Sequence, residues 1–198
     1  MPRPGVRKIA AAGLVLAAAI ALLARPSSGG QPDSDYFGPN APTWVRVPTT
    51  LGDPVYVGVT VLSAGPGDAI RLESLDVERR EGDVTIETLV RILHGGTRTL
   101  GGIAASQLPH EFDLSTYAAV PGFRFSEADG PVELSLRIAG TTPIHGFDGL
   151  WLRFTRNGES AVVADWIPMR ASVCTGSTQD QAVERCRPIE DQMRSFGL

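Results

Sequence analysis

The chain has 198 residues, of which 22 are Gly, 15 are Pro, 2 are Cys and 20% are charged. This length suggests one domain with additional segments, and the 42% of hydrophobic residues is enough for a packed core. The composition therefore excludes a collagen, a disulfide-dense small protein and a wholly disordered chain.

Charge is unevenly distributed along the chain. Four of the 18 basic residues lie in residues 1–25, which contain no acidic residue. The remainder has 14 arginines, no lysine and 22 acidic residues, which gives a formal charge of −8. Nucleic-acid binding relies on a basic surface that releases counterions, so we expect no nucleic-acid partner.

An apolar run from Ile9 to Ala24 follows the cationic start of the chain. A helix of this length spans about 24 Å, against about 30 Å for the hydrocarbon core of a bilayer. The run therefore predicts an N-terminal hydrophobic helix, preferably an uncleaved membrane anchor and alternatively a cleaved signal peptide. Because Arg3, Arg7 and Lys8 precede it, the chain is expected to cross the cell membrane once with its N-terminus in the cytoplasm. Secretion after cleavage is the alternative.

The segment after this run is rich in Pro, Gly and Ser. Such a composition buries too little apolar surface to offset the entropy of ordering. We therefore divide the chain into a signal anchor or signal peptide (residues 1–25), a stalk (26–42), a β-domain (43–174) and a C-terminal tail (175–198).

Apolar residues alternate with polar ones from Thr43 onward, which is typical of β-strands. The predicted strands cover residues 43–48, 55–62, 69–77, 84–93, 102–105, 122–126, 132–140, 149–156 and 159–166. They predict an antiparallel all-β sandwich of seven to nine strands, in which two sheets share one core. The apolar phase shifts between Leu72 and Leu75, which predicts a β-bulge near Glu73 or Ser74.

The dipeptide Asn157-Gly158 predicts a two-residue hairpin turn, since both central positions of a type I′ turn need positive φ. Counting back from this turn pairs Phe154 with Ala161. One face of the hairpin is then apolar, and we assign it to the core: Leu150, Leu152, Phe154, Ala161 and Val163.

The opposite face of the hairpin carries two tryptophans, with Trp166 diagonal to Trp151. This possible interaction patch consists of Trp151, Arg153, Val162 and Trp166. On an exported domain such a patch can bind a protein or stack against a sugar. The preferred interpretation is that the C-terminal segment or another strand covers the tryptophans and makes them part of the core.

Both cysteines of the chain, Cys174 and Cys186, follow the last predicted strand. An exported protein matures in an oxidising compartment, so we predict a disulfide between them. A shared metal ion is less favoured because two ligands are too few for a structural zinc site. Residues 178–185 are expected to begin a short capped helical turn, and Pro188 is expected to stop it. Residues 189–198 are expected to be frayed or lightly docked.

No motif for catalysis, phosphate binding or a metal is found in the sequence. His94, His110 and His145 lie beside Gly or Pro, and we predict that they are independent surface residues in loops. Convergence of the three on a metal ion is the alternative. We therefore assign no catalytic residue, no metal ligand and no cofactor.

Several stretches of strand and turn residues resemble a known group of proteins. They are residues 57–72, 120–123, 132–137 and 146–154. Over about residues 43–174 the chain resembles uncharacterised exported or membrane-anchored immunoglobulin-like β-sandwich proteins of high-GC actinobacteria. The resemblance implies an immunoglobulin-like fold in the cell envelope, and it carries no functional residues over to this chain.

Together these features favour a non-catalytic, outward-facing interaction or structural module of the cell envelope. Its expected partners are the lipid bilayer, through residues 9–24, and an envelope protein or glycan. A carrier of a metal or small ligand is the first alternative. A hydrolytic enzyme is the second, and it requires a Ser or a pair of carboxylates within hydrogen-bond reach of a histidine.

Overall fold

The computed structural model describes residues 43–95, 99–109 and 112–195. The predicted hydrophobic helix at residues 9–24 and the predicted stalk at residues 26–42 lie outside this part of the chain. Within it, no helix combines the length and the apolar character that a membrane crossing needs.

The described residues form ten strands in two five-stranded sheets, followed by one helix. The elements are β1 (Thr43–Thr50), β2 (Val55–Leu62), β3 (Ala69–Glu81), β4 (Val84–Ile92), β5 (Gly102–Ala104), β6 (Ala118–Ala119), β7 (Arg124–Ser126), β8 (Val132–Gly140), β9 (Ile144–Arg156), β10 (Val163–Gly176) and α1 (Gln179–Ser195). The first sheet has the order β1-β10-β9-β3-β7, and the second has the order β5-β2-β8-β4-β6. The prediction of a mostly β chain with two sheets is confirmed.

Two details of the predicted architecture are wrong. β1 pairs with β10 in parallel, from Thr43 beside Met169 onward, so the sheets are not purely antiparallel. Both strand directions alternate side chains in the same way, and the sequence pattern therefore cannot distinguish them. The tenth strand, β6, pairs with β4 only at Leu89 and Val90, and two residues are too few to show a period.

The two sheets share one hydrophobic core. Every second residue of β8 points into it, and these residues, Val132, Leu134, Leu136 and Ile138, are fully buried. The first sheet contributes Ile70, Leu72, Phe147, Leu150, Leu152 and Phe154 to the same cluster. Burial of one such side chain contributes about 1.5–3 kcal/mol, so the alternation fixes which face of each strand points inward.

The predicted bulge is present in β3. The pairing of β3 with β9 shifts between Leu72 and Ser74, so Glu73 is an extra residue on its strand. This insertion changes the phase of the alternation. Leu72 and Leu75 both reach the core as a result, and the prediction is confirmed.

The register predicted for the β9–β10 hairpin is wrong. Phe154 pairs with Val163 rather than with Ala161, and Trp166 lies directly opposite Trp151 rather than diagonal to it. The residues between the turn and Val163 leave the ladder, which shifts the register by two. A shift of two keeps the faces of β10 as predicted, but Ala161 is exposed and does not belong to the core.

The hairpin turn is bound to the start of β3. Asn157 and Gly158 have positive φ, as predicted. Asn157 N donates to Ala69 O over 2.7 Å, and Asn157 Oδ1 accepts from Ala69 N over 2.8 Å. Arg156 Nη2 donates to both carboxylate oxygens of Asp68, over 3.1 and 3.0 Å. These are tertiary contacts, and short-range turn rules do not contain them.

The C-terminal helix is longer than predicted. α1 covers Gln179–Ser195, so the prediction that helical structure ends at Pro188 is wrong. Proline lacks the N–H group that would bond the carbonyl four residues earlier, here that of Glu184. The helix continues through this position because tertiary contacts hold it on both sides.

Those contacts join α1 to the first sheet. Cys186 forms the predicted disulfide with Cys174 of β10, with a Cα–Cα distance of 5.5 Å. Beyond the proline, Glu190 Oε2 lies 2.8 Å from Arg46 Nη1 of β1. The part of the tail predicted to be frayed or lightly docked is therefore helical and paired as far as this residue.

Candidate interaction face

All three tryptophans of the chain lie on the outer face of the first sheet. Trp44 belongs to β1, Trp151 to β9 and Trp166 to β10. We call this surface the tryptophan face, and we define it by these residues together with Arg153 and Asp76. The sequence pattern of the hairpin predicts that Trp151 and Trp166 lie close together, whereas only the parallel pairing of β1 with β10 brings Trp44 to the same face.

Trp151 and Trp166 form a pair in contact across β9 and β10. Their ring centroids are 5.2 Å apart and their planes are inclined by 49°, which is a favourable geometry for aromatic rings. Gly149 makes room for the pair, because a Cβ there would lie 1.8 Å from Cη2 of Trp166. Both side chains are half-buried, so part of each indole remains accessible.

An ion pair borders the two tryptophans. Arg153 Nη1 contacts Asp76 Oδ2, and Ser74 Oγ donates to the same oxygen over 2.6 Å. Asp76 is the cross-strand neighbour of Trp151. Because both charged side chains are about half-exposed, the pair contributes little to stability and leaves polar groups at the surface.

A groove of about 620 Å³ opens on the side of the face near the hairpin turn. This volume lies within the range of small-molecule sites. Arg71 and Thr155, which pair across β3 and β9, line it together with Glu73. Residues 158–160 and Val162 line it from the loop before β10.

The structure brings the four residues of the predicted patch onto one continuous strip. Trp151, Arg153 and Thr155 occupy alternate outward positions of β9, which extends the strip over about 14 Å at 3.4 Å per residue. Trp166 lies opposite Trp151 at one end, and Val162 lines the groove at the other. The strip therefore joins an aromatic pair, an ion pair and a groove.

The C-terminal helix covers the Trp44 end of the tryptophan face. α1 packs against β1 and β10. The guanidinium carbon of Arg170 lies 4.4 Å from the centroid of the Trp44 ring, and Trp44 Nε1 donates to Ser172 Oγ over 3.3 Å. The sequence predicts such covering for Trp151 and Trp166, but both are half-buried and neither belongs to the hydrophobic core.

The outer face of the second sheet contains a buried polar cluster that sequence analysis missed. Arg91 Nε donates to Glu133 Oε2 over 2.8 Å, and the two side chains are only 7% and 2% exposed. Leu100 N donates to the other oxygen of Glu133. The rings of Phe112 and Tyr117 lie 4.7 and 4.8 Å from the guanidinium carbon. We call these five residues the Arg91 cluster.

Tyr117 completes the hydrogen bonds of this cluster. Its hydroxyl donates to Glu133 Oε2 over 3.0 Å. Burial raises the pKa of Tyr117 above its ordinary value of 10.0, and the negative charge and hydrogen bond of Glu133 act in the same direction. In the sequence, Glu133 lies between the apolar residues Val132 and Leu134, as a solvent-exposed acid of a strand would. The local sequence therefore does not indicate that the outer face of this strand is covered.

The histidines do not occupy a common site in the part of the chain that the structure describes. His145 lies in β9 and is buried, with Nδ1 2.9 Å from Thr142 O, so the prediction that it is a surface loop residue is wrong. Its ring fits there because Gly140 has no side chain. His94 is exposed, and His110 lies outside the described residues. Among the described residues, no three His, Cys, Asp or Glu side chains are placed to hold a metal.

Comparison with known proteins identifies no family. No protein-family model matches the chain, and no curated protein matches it. The functional interpretation therefore rests on the geometry of the two outer faces.

Proposed function

We propose that the chain is a non-catalytic interaction module of the cell envelope, with an immunoglobulin-like β-sandwich held outside the membrane by an N-terminal anchor at residues 9–24. The observation that carries the proposal is the strip from Trp151 and Trp166 to the groove. Half-buried aromatic rings beside oriented polar groups are typical of surfaces that bind a partner. The partner is an envelope protein or glycan.

The order of the long strands supports the immunoglobulin-like part of the proposal. β2, β8 and β4 are neighbours in one sheet, and β3, β9 and β10 are neighbours in the other. Immunoglobulin domains arrange their B, E and D strands and their C, F and G strands in this way. The disulfide of antibody domains joins the two sheets, whereas Cys174 and Cys186 join β10 to α1.

The sequence before the β-domain supports the membrane anchor. A cationic start followed by sixteen residues without a polar side chain, Ile9 to Ala24, is the pattern of a leader that sets topology. Mass spectrometry of the N-terminal peptide from isolated membranes tests this part. A peptide that begins at Met1 or Pro2 supports the anchor, whereas a mature N-terminus after the apolar run shows that the chain is secreted.

Photocrosslinking in intact cells tests the interaction. A photoreactive amino acid at position 162, on the strip, is expected to give light-dependent adducts with an envelope component. Position 61 is the matched control, because Val61 and Val162 are similarly exposed, at 42% and 55%, and Val61 lies in β2 of the second sheet, whereas Val162 immediately precedes β10 of the first. An adduct yield at position 162 no higher than at position 61 would contradict the proposed function.

A carrier of a small ligand is a second candidate, and the volume of the groove favours it. A ligand that binds only the folded chain raises its melting temperature. Polar metabolites, copper and zinc are screened with the full chain in detergent. A shift that Ser160→Trp abolishes by filling the groove supports a carrier, and no shift with any compound counts against it.

A further inference from the structure

We propose that the strip binds an uncharged polysaccharide of the cell envelope, lying along β9 from the Trp151–Trp166 pair to the groove. The inference rests on the proposed interaction function and names the chemical class of its partner.

The aromatic pair offers an apolar surface on which a sugar ring can pack. A pyranose ring has C–H groups on its faces and hydroxyls at its rim, so a face can pack on an indole while the rim remains available for hydrogen bonds. Trp166 is held over Gly149, and Trp151 leans against it at 49°. Two rings fixed in this way lose little side-chain entropy when a ligand packs on them.

The polar groups of the strip alternate between donors and acceptors. Arg153 lies beside Asp76, and Arg71 Nη1 lies 3.6 Å from Glu73 Oε1. Thr155 Oγ1 donates to the same Glu73 oxygen over 3.3 Å. Because a sugar hydroxyl both donates and accepts, neighbouring guanidinium and carboxylate groups can bind it without separating.

The charge of the strip favours an uncharged chain over an anionic one. Arg71 and Arg153 each have a carboxylate within 4 Å. The groove is lined by two arginines, Arg71 and its cross-strand neighbour Arg124, and by three acidic residues, Glu73, Asp129 and Glu159. The strip therefore has no excess of positive charge to bind phosphate or uronate groups. The chain after residue 25 has a formal charge of −8, which further disfavours a polyanion.

The composition of the strip also favours a glycan over a protein. Stable protein interfaces bury about 800 Å² per partner, and charged residues are depleted at their centres. Here the centre is the Arg153–Asp76 ion pair. Among the described residues, Val162 is the strip's one strongly exposed large hydrophobic side chain.

Co-sedimentation with insoluble cell-wall polysaccharide tests the proposal. The full chain in detergent is mixed with walls of the producing organism that have been extracted with detergent and digested with protease. We expect the chain to sediment with these walls, and we expect neutral oligosaccharides released from the same walls to compete for binding. Trp151→Ala should weaken binding by about tenfold or more through loss of the aromatic surface. Val61→Ala, on the second sheet, should leave it unchanged.

A second variant tests the strip without risk to the core. Ser160 is exposed and lines the groove, so Ser160→Trp should fill the groove, leave the melting temperature unchanged and reduce sedimentation by about tenfold or more. If Trp151→Ala fails to melt cooperatively, this variant decides the result.

Two outcomes would overturn the proposal. They are no sedimentation with digested walls, and sedimentation that Ser160→Trp leaves unchanged. Protein adducts at position 162 in the crosslinking experiment, combined with either of these outcomes, would keep the proposed interaction function while replacing the glycan by a protein. Competition by a polyanion such as polygalacturonate, without competition by neutral oligosaccharides released from the same walls, would also contradict the uncharged class.

Discussion

The outer faces of the two sheets carry similar side chains in very different surroundings. On the second sheet, Arg91 and Glu133 are paired across β4 and β8 and are almost fully buried under the connection between those strands. On the first sheet, Arg153 and Asp76 are paired beside Trp151, and their side chains are 46% and 49% exposed. Both are arginine–carboxylate pairs next to aromatic rings.

The difference indicates that the covered ion pair of the second sheet contributes to the stability of the fold, whereas the exposed ion pair of the first sheet is accessible to a ligand. A buried ion pair cannot lose one partner without leaving an uncompensated charge in a medium of low dielectric constant. An exposed pair is screened by water, and its groups can exchange partners at small cost. We therefore expect substitutions on the second outer face to affect folding, and substitutions on the tryptophan face to affect binding.

Among substitutions on the outer faces, the largest effect is expected from Glu133→Ala. Removal of the carboxylate breaks the buried ion pair with Arg91, and it also removes the acceptor for Leu100 N and the Tyr117 hydroxyl. The free energy of unfolding should fall by about 3–5 kcal/mol, as measured by urea denaturation followed by circular dichroism.

Two further variants control this experiment. Glu87→Ala removes the exposed partner of Arg137 on the same sheet, and it should change the free energy by less than about 1 kcal/mol. The double variant Arg91→Met/Glu133→Leu should recover most of the stability, because both buried charges are replaced by apolar side chains of similar size. If Glu133→Ala and Glu87→Ala lower the free energy of unfolding by equal amounts, the expected difference between buried and exposed ion pairs is wrong.

The next effect is expected from loss of the disulfide that joins α1 to β10, near the Trp44 end of the tryptophan face. Replacement of both Cys174 and Cys186 by Ala should lower the free energy of unfolding by roughly 3 kcal/mol, because the unfolded chain gains the entropy of an open loop. Reductant should have the same effect on the native chain and none on the double variant. A loss below about 1 kcal/mol would show that packing alone holds α1 on the sheet.

A comparison within β9 tests whether the tryptophan face is a surface. Phe154 is fully buried, and Phe154→Ala should cost about 3–5 kcal/mol. Trp151 is half-buried on the opposite side of the strand, and Trp151→Ala should cost about 1–2 kcal/mol. If urea denaturation gives both variants the same loss, the tryptophans belong to a core and the proposed binding surface is wrong.

The smallest effect is a dependence of stability on alkaline pH. The pKa of Tyr117 is raised in the folded chain, so above 10.0 the unfolded chain loses this proton first. The stability contributed by the neutral phenol is present below that pH, and it should decline above it by at most about 1 kcal/mol per pH unit. Urea midpoints below and above pH 10.0 measure the decline. An equal decline in Tyr117→Phe would assign it to other groups.

Local sequence rules predicted much of the fold. The alternation of Val132 to Gly140 gave the bounds of β8, and the phase shift after Leu72 gave the bulge. Both features depend on residues close in sequence. The hairpin register differed because the contacts of Asn157 with Ala69 lie 88 positions apart, and a local pattern cannot contain them.

The candidate site was predicted in part. The outward position of Trp151, Arg153, Val162 and Trp166 followed from a period of two and survived the two-residue correction of the register. Their connection to Arg71 and Thr155 did not follow, because the pairing of β3 with β9 joins residues far apart in sequence. The buried environment of Glu133 was missed for the same reason.

The sequence by itself determined which side chains of each strand point inward, because burial of apolar side chains dominates the choice of face. It also determined the pairing of the two cysteines, which had no other cysteine partner. Only the tertiary structure decided which outer face is covered. A face is covered where the connection between β4 and β8 or the helix α1 folds over a sheet. Apolar and polar residues alternate along a strand in the same way whether its outer face is covered or exposed, so the sequence pattern does not distinguish the two.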